Sequence, residues 1–137
     1  MNRHARILLP LLGTVLAALV AGGCSGGGRS SGRPHTDATL QIVAPAPEAT
    51  TGQDVDVVMR LTGARLVPPT QVGGRLRGDE GHIHVLLDGQ LVAMPLSARE
   101  SLTALARGPH TVEAEFVASD HLAFADPVVA AVTFEVR

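Results

Sequence analysis

The chain has 137 residues, thirteen acidic and eleven basic, all of the basic ones arginine, giving a formal net charge of −2 with six histidines and one cysteine. A single thiol excludes an internal disulfide framework, and the slight acidic excess excludes the basic footprint of a nucleic-acid-binding protein. With no tryptophan or tyrosine, any core has to be built from Val, Leu, Ile and Ala around Phe116, Phe124 and Phe134.

The N-terminal residues read as an export signal. Arg3 and Arg6 precede an apolar run, Ile7 to Val20, of about 14 residues. That is shorter than the ~20 residues a helix needs to span the hydrocarbon core. Ala21-Gly22-Gly23 leads from it directly into Cys24. Basic flank, short apolar run and small-residue exit are the marks of a cleaved signal rather than a permanent anchor. The arrangement resembles the lipobox of bacterial lipoproteins, with Ala21 where Leu is commoner. The resemblance implies removal of residues 1–23 and acylation of Cys24 by diacylglyceryl and a further chain of the palmitate kind. Two acyl chains hold a protein stably where one holds it marginally. The expected location is the outer, extracytoplasmic face of a cell membrane, with the lipid anchor as the membrane contact and other envelope proteins as possible partners.

Residues 24–37 comprise the acylated cysteine and a stretch rich in Gly and Ser, SGGGRSSGRPHTD. It lacks the apolar residues of a core and reads as a flexible tether reaching roughly 20 Å. Its glycines neither follow a strand nor open a helix, so they form no phosphate loop.

Residues 38–137 are enough for one domain with its own core. Leu40 to Val43 reads as a strand stopped by Pro45 and Pro47. Asp54 to Leu61 alternates polar and apolar with a period of two, as a half-buried strand does. The long segment from Gly63 to Glu80 reads as a loop. His82 to Leu87 and Gln90 to Met94 flank Asp88-Gly89, a strong hairpin signal because both turn residues tolerate positive φ. Leu96 to Ala106 reads either as a helix capped by Ser97 or as an edge strand over Ser101–Leu105, and the strand is preferred. Gly108-Pro109 opens an alternating strand, Thr111 to Val117. Val128 to Val136 closes the chain with Val132, Phe134 and Val136 on one face. About seven short strands with little or no helix predict an all-β immunoglobulin-like sandwich, expected to be monomeric.

Four segments carry a family resemblance: Leu61 to Pro69 (LTGARLVPP), Gly81 to Gly89 (GHIHVLLDG), Gly108 to Val112 (GPHTV) and Asp120-His121. The chain resembles a group of uncharacterised bacterial envelope lipoproteins that carry an Ig-like domain, with a GHxHVxxDG strand and a later PGxH-type turn. Here that turn reads Arg-Gly-Pro-His, with Gly and Pro exchanged. The resemblance covers most of residues 38–137. It implies fold and location and supplies no activity.

The histidines form the one constellation able to carry chemistry. His82 and His84 are two apart on a strand and project from one face. If Asp88-Gly89 forms a two-residue turn, His84 pairs with Ala93 and Ile83 with Met94, and Met94 points away from the histidines. A slip of one residue would reverse that. In an Ig-like sandwich the strand from residue 81 runs antiparallel to the strand that starts at residue 110. This brings His82 and His84 towards Asp120 and His121 and leaves His110 at the opposite end. Two readings follow. Neutral imidazoles with a carboxylate bind zinc or copper, and His82, His84 and His121 are the candidate ligands. Alternatively, the histidines anchor the Gly63–Glu80 loop through its backbone, and this reading is preferred. His35 is assigned to the tether and takes no part. Asp54 and Asp56 share a solvated face and lack the further oxygens a calcium site needs. No nucleophile–base arrangement is evident, and an enzyme is not expected. The sequence as a whole reads as a lipid-anchored interaction or structural module, with histidine-based metal binding as the alternative.

Overall fold

The computed structural model describes residues 32–72 and 74–137. The signal, Cys24 and the tether as far as residue 31 lie outside the described residues. Nine strands and no helix are found among the described residues: β1 Thr39–Ala44, β2 Thr50–Thr51, β3 Val55–Thr62, β4 Arg65–Leu66, β5 Glu80–Leu87, β6 Gln90–Ala93, β7 Arg99–Leu102, β8 Gly108–Val117 and β9 Ala123–Val136. They form two sheets, β1-β3-β7 and β9-β8-β5-β6, with β2 added in parallel to β9 and β4 in parallel to β5. The longer strands alternate between the sheets as first, second and fifth against third, fourth, sixth and seventh. That order is the one of an immunoglobulin-like sandwich.

The core follows from the period of two. Val55, Val57 and Met59 of β3 face Ile83 and Val85 of β5, Val112, Ala114 and Phe116 of β8, and Val132, Phe134 and Val136 of β9 across the space between the sheets. Phe116 stacks on Phe124 with ring centroids 5.2 Å apart. Phe134 lines the same core and meets the His110 ring at 5.9 Å.

Local features depart from the sequence reading in four places. The edge strand is Arg99–Leu102, two residues earlier than expected, and it pairs with β3. It ends because Ala104 takes φ 55° and donates its N–H to Asp54 Oδ1 at 3.0 Å, leaving the ladder. The Gly63–Glu80 segment is not wholly a loop, since β4 pairs with Glu80 and Gly81.

The Asp88-Gly89 turn has two residues, φ 50° and 80°, and pairs Leu87 with Gln90 as expected. The ladder then slips: Leu86 pairs with Leu91 but Val85 with Ala93, so Val92 is a bulge residue. His84 therefore does not pair with Ala93. Every residue of β6 beyond Val92 is turned to the face opposite the one that an unbroken ladder would give.

The tether also ends sooner than its composition suggests. Arg33 donates to the carbonyls of Ala123 (2.7 Å) and Leu122 (2.6 Å), and to both oxygens of Asp120 (2.5 and 3.0 Å). Ala125 N–H donates to Pro34 O, and Thr36 Oγ1 donates to Gly78 O at 2.5 Å. Residues 33–37 thus belong to the domain. A guanidinium that meets a carboxylate as a fork is held by geometry as well as charge, and an apolar count does not register it.

Gly81 fixes how close β5 comes to β8. A Cβ at this position would lie 2.0 Å from Val117 O and 3.1 Å from a ring carbon of Phe116. We expect Gly81→Ala to force the two strands apart and to destabilise the domain at least as much as Phe116→Ala, for which about 3–5 kcal/mol is expected from the cavity left. Urea unfolding of both variants against the parent checks this. Near-parental stability of Gly81→Ala would mean that the strands can separate locally at little cost.

Candidate histidine site

Ile83 and Val85 of β5 point into the core, so His82 and His84 point to the outer face of the sheet. At this end the outer face is not open to solvent. The Val67–Val72 segment and the Ala118–Leu122 turn lie over it, and His82 is only 1% exposed. Its Nδ1 stands 3.0 Å from Val67 O and its Nε2 3.3 Å from Ser119 O. A carbonyl only accepts, so each of these contacts needs an N–H on the ring, and Nδ1 makes the shorter of the two.

His121 enters from the turn. Its N–H donates to Ala118 O (2.9 Å), Ala118 N–H donates to Leu122 O (3.0 Å), and His121 itself has φ 62°. Among residues with a side chain, histidine is one of those found more often in this left-handed region. The His121 ring stacks on His82 with centroids 4.4 Å apart. Its Nε2 lies 3.0 Å from Pro69 O, and its Nδ1 3.2 Å from His84 Nε2. A carbonyl only accepts, so His121 Nε2 carries the proton and its Nδ1 is an acceptor. His84 must then donate from Nε2. The result is a directed relay, His84 to His121 to the Pro69 carbonyl.

Burial above all, and then the neighbouring His121 and His82, hold the pKa of His84 below its ordinary value. That favours the neutral form on which the relay depends.

The structure brings together His82, His84 and His121, the three residues read as candidate ligands. Their nitrogens do not converge. His82 faces a carbonyl on each side, and the 3.2 Å gap between His84 and His121 is bridged by a hydrogen bond. Among the described residues no group of three His, Cys, Asp or Glu side chains is disposed to hold a metal ion.

His110 lies at the far end, beside the β5–β6 turn. Its Nδ1 is 2.7 Å from Asp88 Oδ2 and its Nε2 2.9 Å from Ala106 O. Both partners are acceptors, so the doubly protonated ring suits the site. The Ala106 carbonyl first, and Asp88 second, raise the His110 pKa. Asp88 is held low by the Thr111 N–H and then by His110.

Several residues that shape the site carried no sequence signal. Arg33 clamps both sides of the turn that presents His121, and its guanidinium holds the Asp120 carboxyl below the usual carboxylate range. Glu80 is buried beneath the Arg65 guanidinium at the start of β5. Next to the relay, Pro69, Leu91, Val92, Ala93 and Met94 line an open apolar groove of ≈ 430 Å³.

No protein-family model matches the chain, and no curated protein does. Solved structures give partial superpositions. The fibronectin(III)-like modules of Clostridium thermocellum CbhA match at TM-score 0.44 and 12% identity, over 72% of this chain and 96% of that one. A Jonesia denitrificans lytic polysaccharide monooxygenase matches at TM-score 0.44 and 21% identity, over 68% of this chain and 60% of that one. A CARDB domain from Pyrococcus furiosus, in complex with di-metal ions, matches at TM-score 0.37 and 15% identity, over 74% of this chain and 94% of that one. The sandwich assignment rests on the sheet order described above.

The two histidine environments give opposite pH responses. With its folded pKa lowered, His84 contributes fully above about pH 6.5, and that contribution is lost as the pH falls below this value. With its folded pKa raised, His110 contributes fully below about pH 6.5 and loses its contribution as the pH rises through the folded value. Thermal melts across pH 5–8 should show the gap between parent and His84→Ala narrowing on acidification. The gap to His110→Ala should narrow on going alkaline. Parallel curves for the two variants would contradict the opposite shifts of the two imidazoles.

Proposed function

We propose that the chain is a lipid-anchored protein of the extracytoplasmic membrane face whose Ig-like domain serves as an interaction or structural module. The observation that carries this reading is the order of a basic flank, a short apolar run and Ala21-Gly22-Gly23 leading into Cys24, and the clamp at Arg33 sets its consequence for the domain. If Cys24 is acylated, only residues 25–32 separate the lipid from a guanidinium bolted to the domain. Fully extended, they span about 30 Å, so the anchor would hold the sandwich close to the bilayer with its Arg33 end towards the lipid. The histidine relay supports a module rather than an enzyme: its last acceptor is the backbone carbonyl of Pro69, so it fixes a loop instead of activating a nucleophile.

A second reading, an envelope protein that binds copper or zinc through histidine, is favoured by one observation. Three imidazoles from two separate segments meet within stacking and hydrogen-bonding distance at one end of the domain.

Changing Cys24→Ser removes the one thiol available for acylation. We expect the parent chain to partition into detergent and the variant to accumulate as precursor or released protein, read by phase separation and by intact mass. Equal membrane retention of the two would identify residues 1–23 as an uncleaved anchor and overturn the lipoprotein reading.

A further inference from the structure

We propose that His84, His121 and Met94 form a binding site for a soft monovalent metal ion, Cu(I), at the rim of the groove beside β6. This deepens the metal-binding reading by naming the ligands and the metal, and it does not depend on the lipid anchor.

Met94 enters through the bulge. An unbroken ladder from the Asp88-Gly89 turn would set Met94 opposite Ile83, on the core face. Instead Val85 pairs with Ala93, and Ala93 packs against the core. The next residue therefore falls on the outer face, one step beyond the Val85–Ala93 pair and across from His84. Met94 is 37% exposed, so the core has not absorbed its thioether. It shares the groove with Pro69, whose carbonyl accepts from His121. Pro69 thus belongs both to the groove that Met94 lines and to the end of the relay.

The two nitrogens already have a suitable separation. Ligand bonds of about 2.0–2.1 Å arranged tetrahedrally put neighbouring donor atoms roughly 3.3 Å apart. His84 Nε2 and His121 Nδ1 are 3.2 Å apart. What stands between them is one proton. His84 Nδ1 makes no hydrogen bond among the described residues and can take that proton by tautomerisation. A rotation of the His84 ring then aims its Nε2 lone pair at the point faced by His121 Nδ1. No proton leaves the protein, and both imidazoles stay neutral. Throughout, His121 keeps its Nε2–H on Pro69 O. An outer hydrogen bond of this kind fixes the tautomer and orientation of a metal-binding histidine.

The donor set selects the ion. Two neutral imidazoles and a thioether carry no charge, and thioether sulfur favours Cu(I) over zinc. The nearest carboxylate on the turn, Asp120, is held by Arg33 and is not offered to a metal. His82, with both ring nitrogens facing carbonyls, is not a ligand in this site.

The test uses the chain in a Cys24→Ser background, which removes the competing thiol. Cu(I) is titrated anaerobically against a chromophoric chelator, and zinc is titrated in parallel. One equivalent of Cu(I) should bind, with Met94→Leu weakening it at least tenfold while leaving the thermal melt unchanged. His121→Ala should abolish binding, and an apo variant that remains folded by circular dichroism makes that loss interpretable. Cu(I) binding that is indifferent to Met94→Leu would overturn the site. If zinc also binds and depends on His82, the three-histidine reading survives and this one fails. No saturable binding of either metal removes both.

Discussion

Between Glu80 and Val85 the chain of β5 is enclosed on both faces, by the sandwich core on one side and by the Val67–Val72 segment with the Ala118–Leu122 turn on the other. Much of the organisation of this end follows from that enclosure. A strand covered twice has no solvent to satisfy the polar groups of what covers it, and an unpaired buried group costs about 1–3 kcal/mol. The covering segments are irregular, so their carbonyls at Val67 and Pro69 cannot be satisfied by a sheet ladder. Imidazole answers this with a flat body that stacks and polar atoms at opposite edges of the ring. His82 meets Val67 O and His121 meets Pro69 O while the two rings lie on each other, 4.4 Å between centroids. Gly81 permits the enclosure by letting the Val117 carbonyl approach where a side chain would stand.

The same end of the domain receives the N-terminal segment. Arg33 binds carbonyl and carboxylate groups at Asp120, Leu122 and Ala123, so the N-terminal segment is fastened to the turn that carries His121. Traction on the N-terminal segment would be felt first at Asp120 to Ala123. His110 at the opposite end sits between two acceptors and tends towards the charged form, whereas His84 tends towards the neutral one. One residue type thus serves two electrostatic purposes in a domain of about a hundred residues, and neighbouring groups decide which.

A single extra residue, Val92, reverses the facing of the end of β6. Without it Met94 would be a core-facing side chain at the end of β6. With it, Ala93 takes the core face and Met94 lines an apolar groove. Bulges at sheet edges commonly re-aim a side chain in this way. The Asp88-Gly89 pair indicates the hairpin but carries no information on a slip two residues later, because Leu91, Val92 and Ala93 are all apolar and fit either face.

What the amino-acid sequence determined by itself was local or periodic. The alternation in Val55–Leu61, Ile83–Leu87, Val112–Phe116 and Val132–Val136 specified strands and their inward faces, because the side-chain period of a strand is set by backbone geometry alone. Asp88-Gly89 specified its turn, because few residue pairs accept two successive positive φ angles. The approach of His82 and His84 to His121, and the separation of His110, followed once antiparallel neighbours were assumed. Tertiary structure decided the rest. The relay's direction, the capping of Val67 and Pro69, the Arg33 clamp across 87 residues and the facing of Met94 all depend on which backbone carbonyl or ladder step comes to lie opposite a given side chain. Backbone groups are the same at every residue, so no sequence pattern marks which carbonyl a distant arginine or histidine will meet.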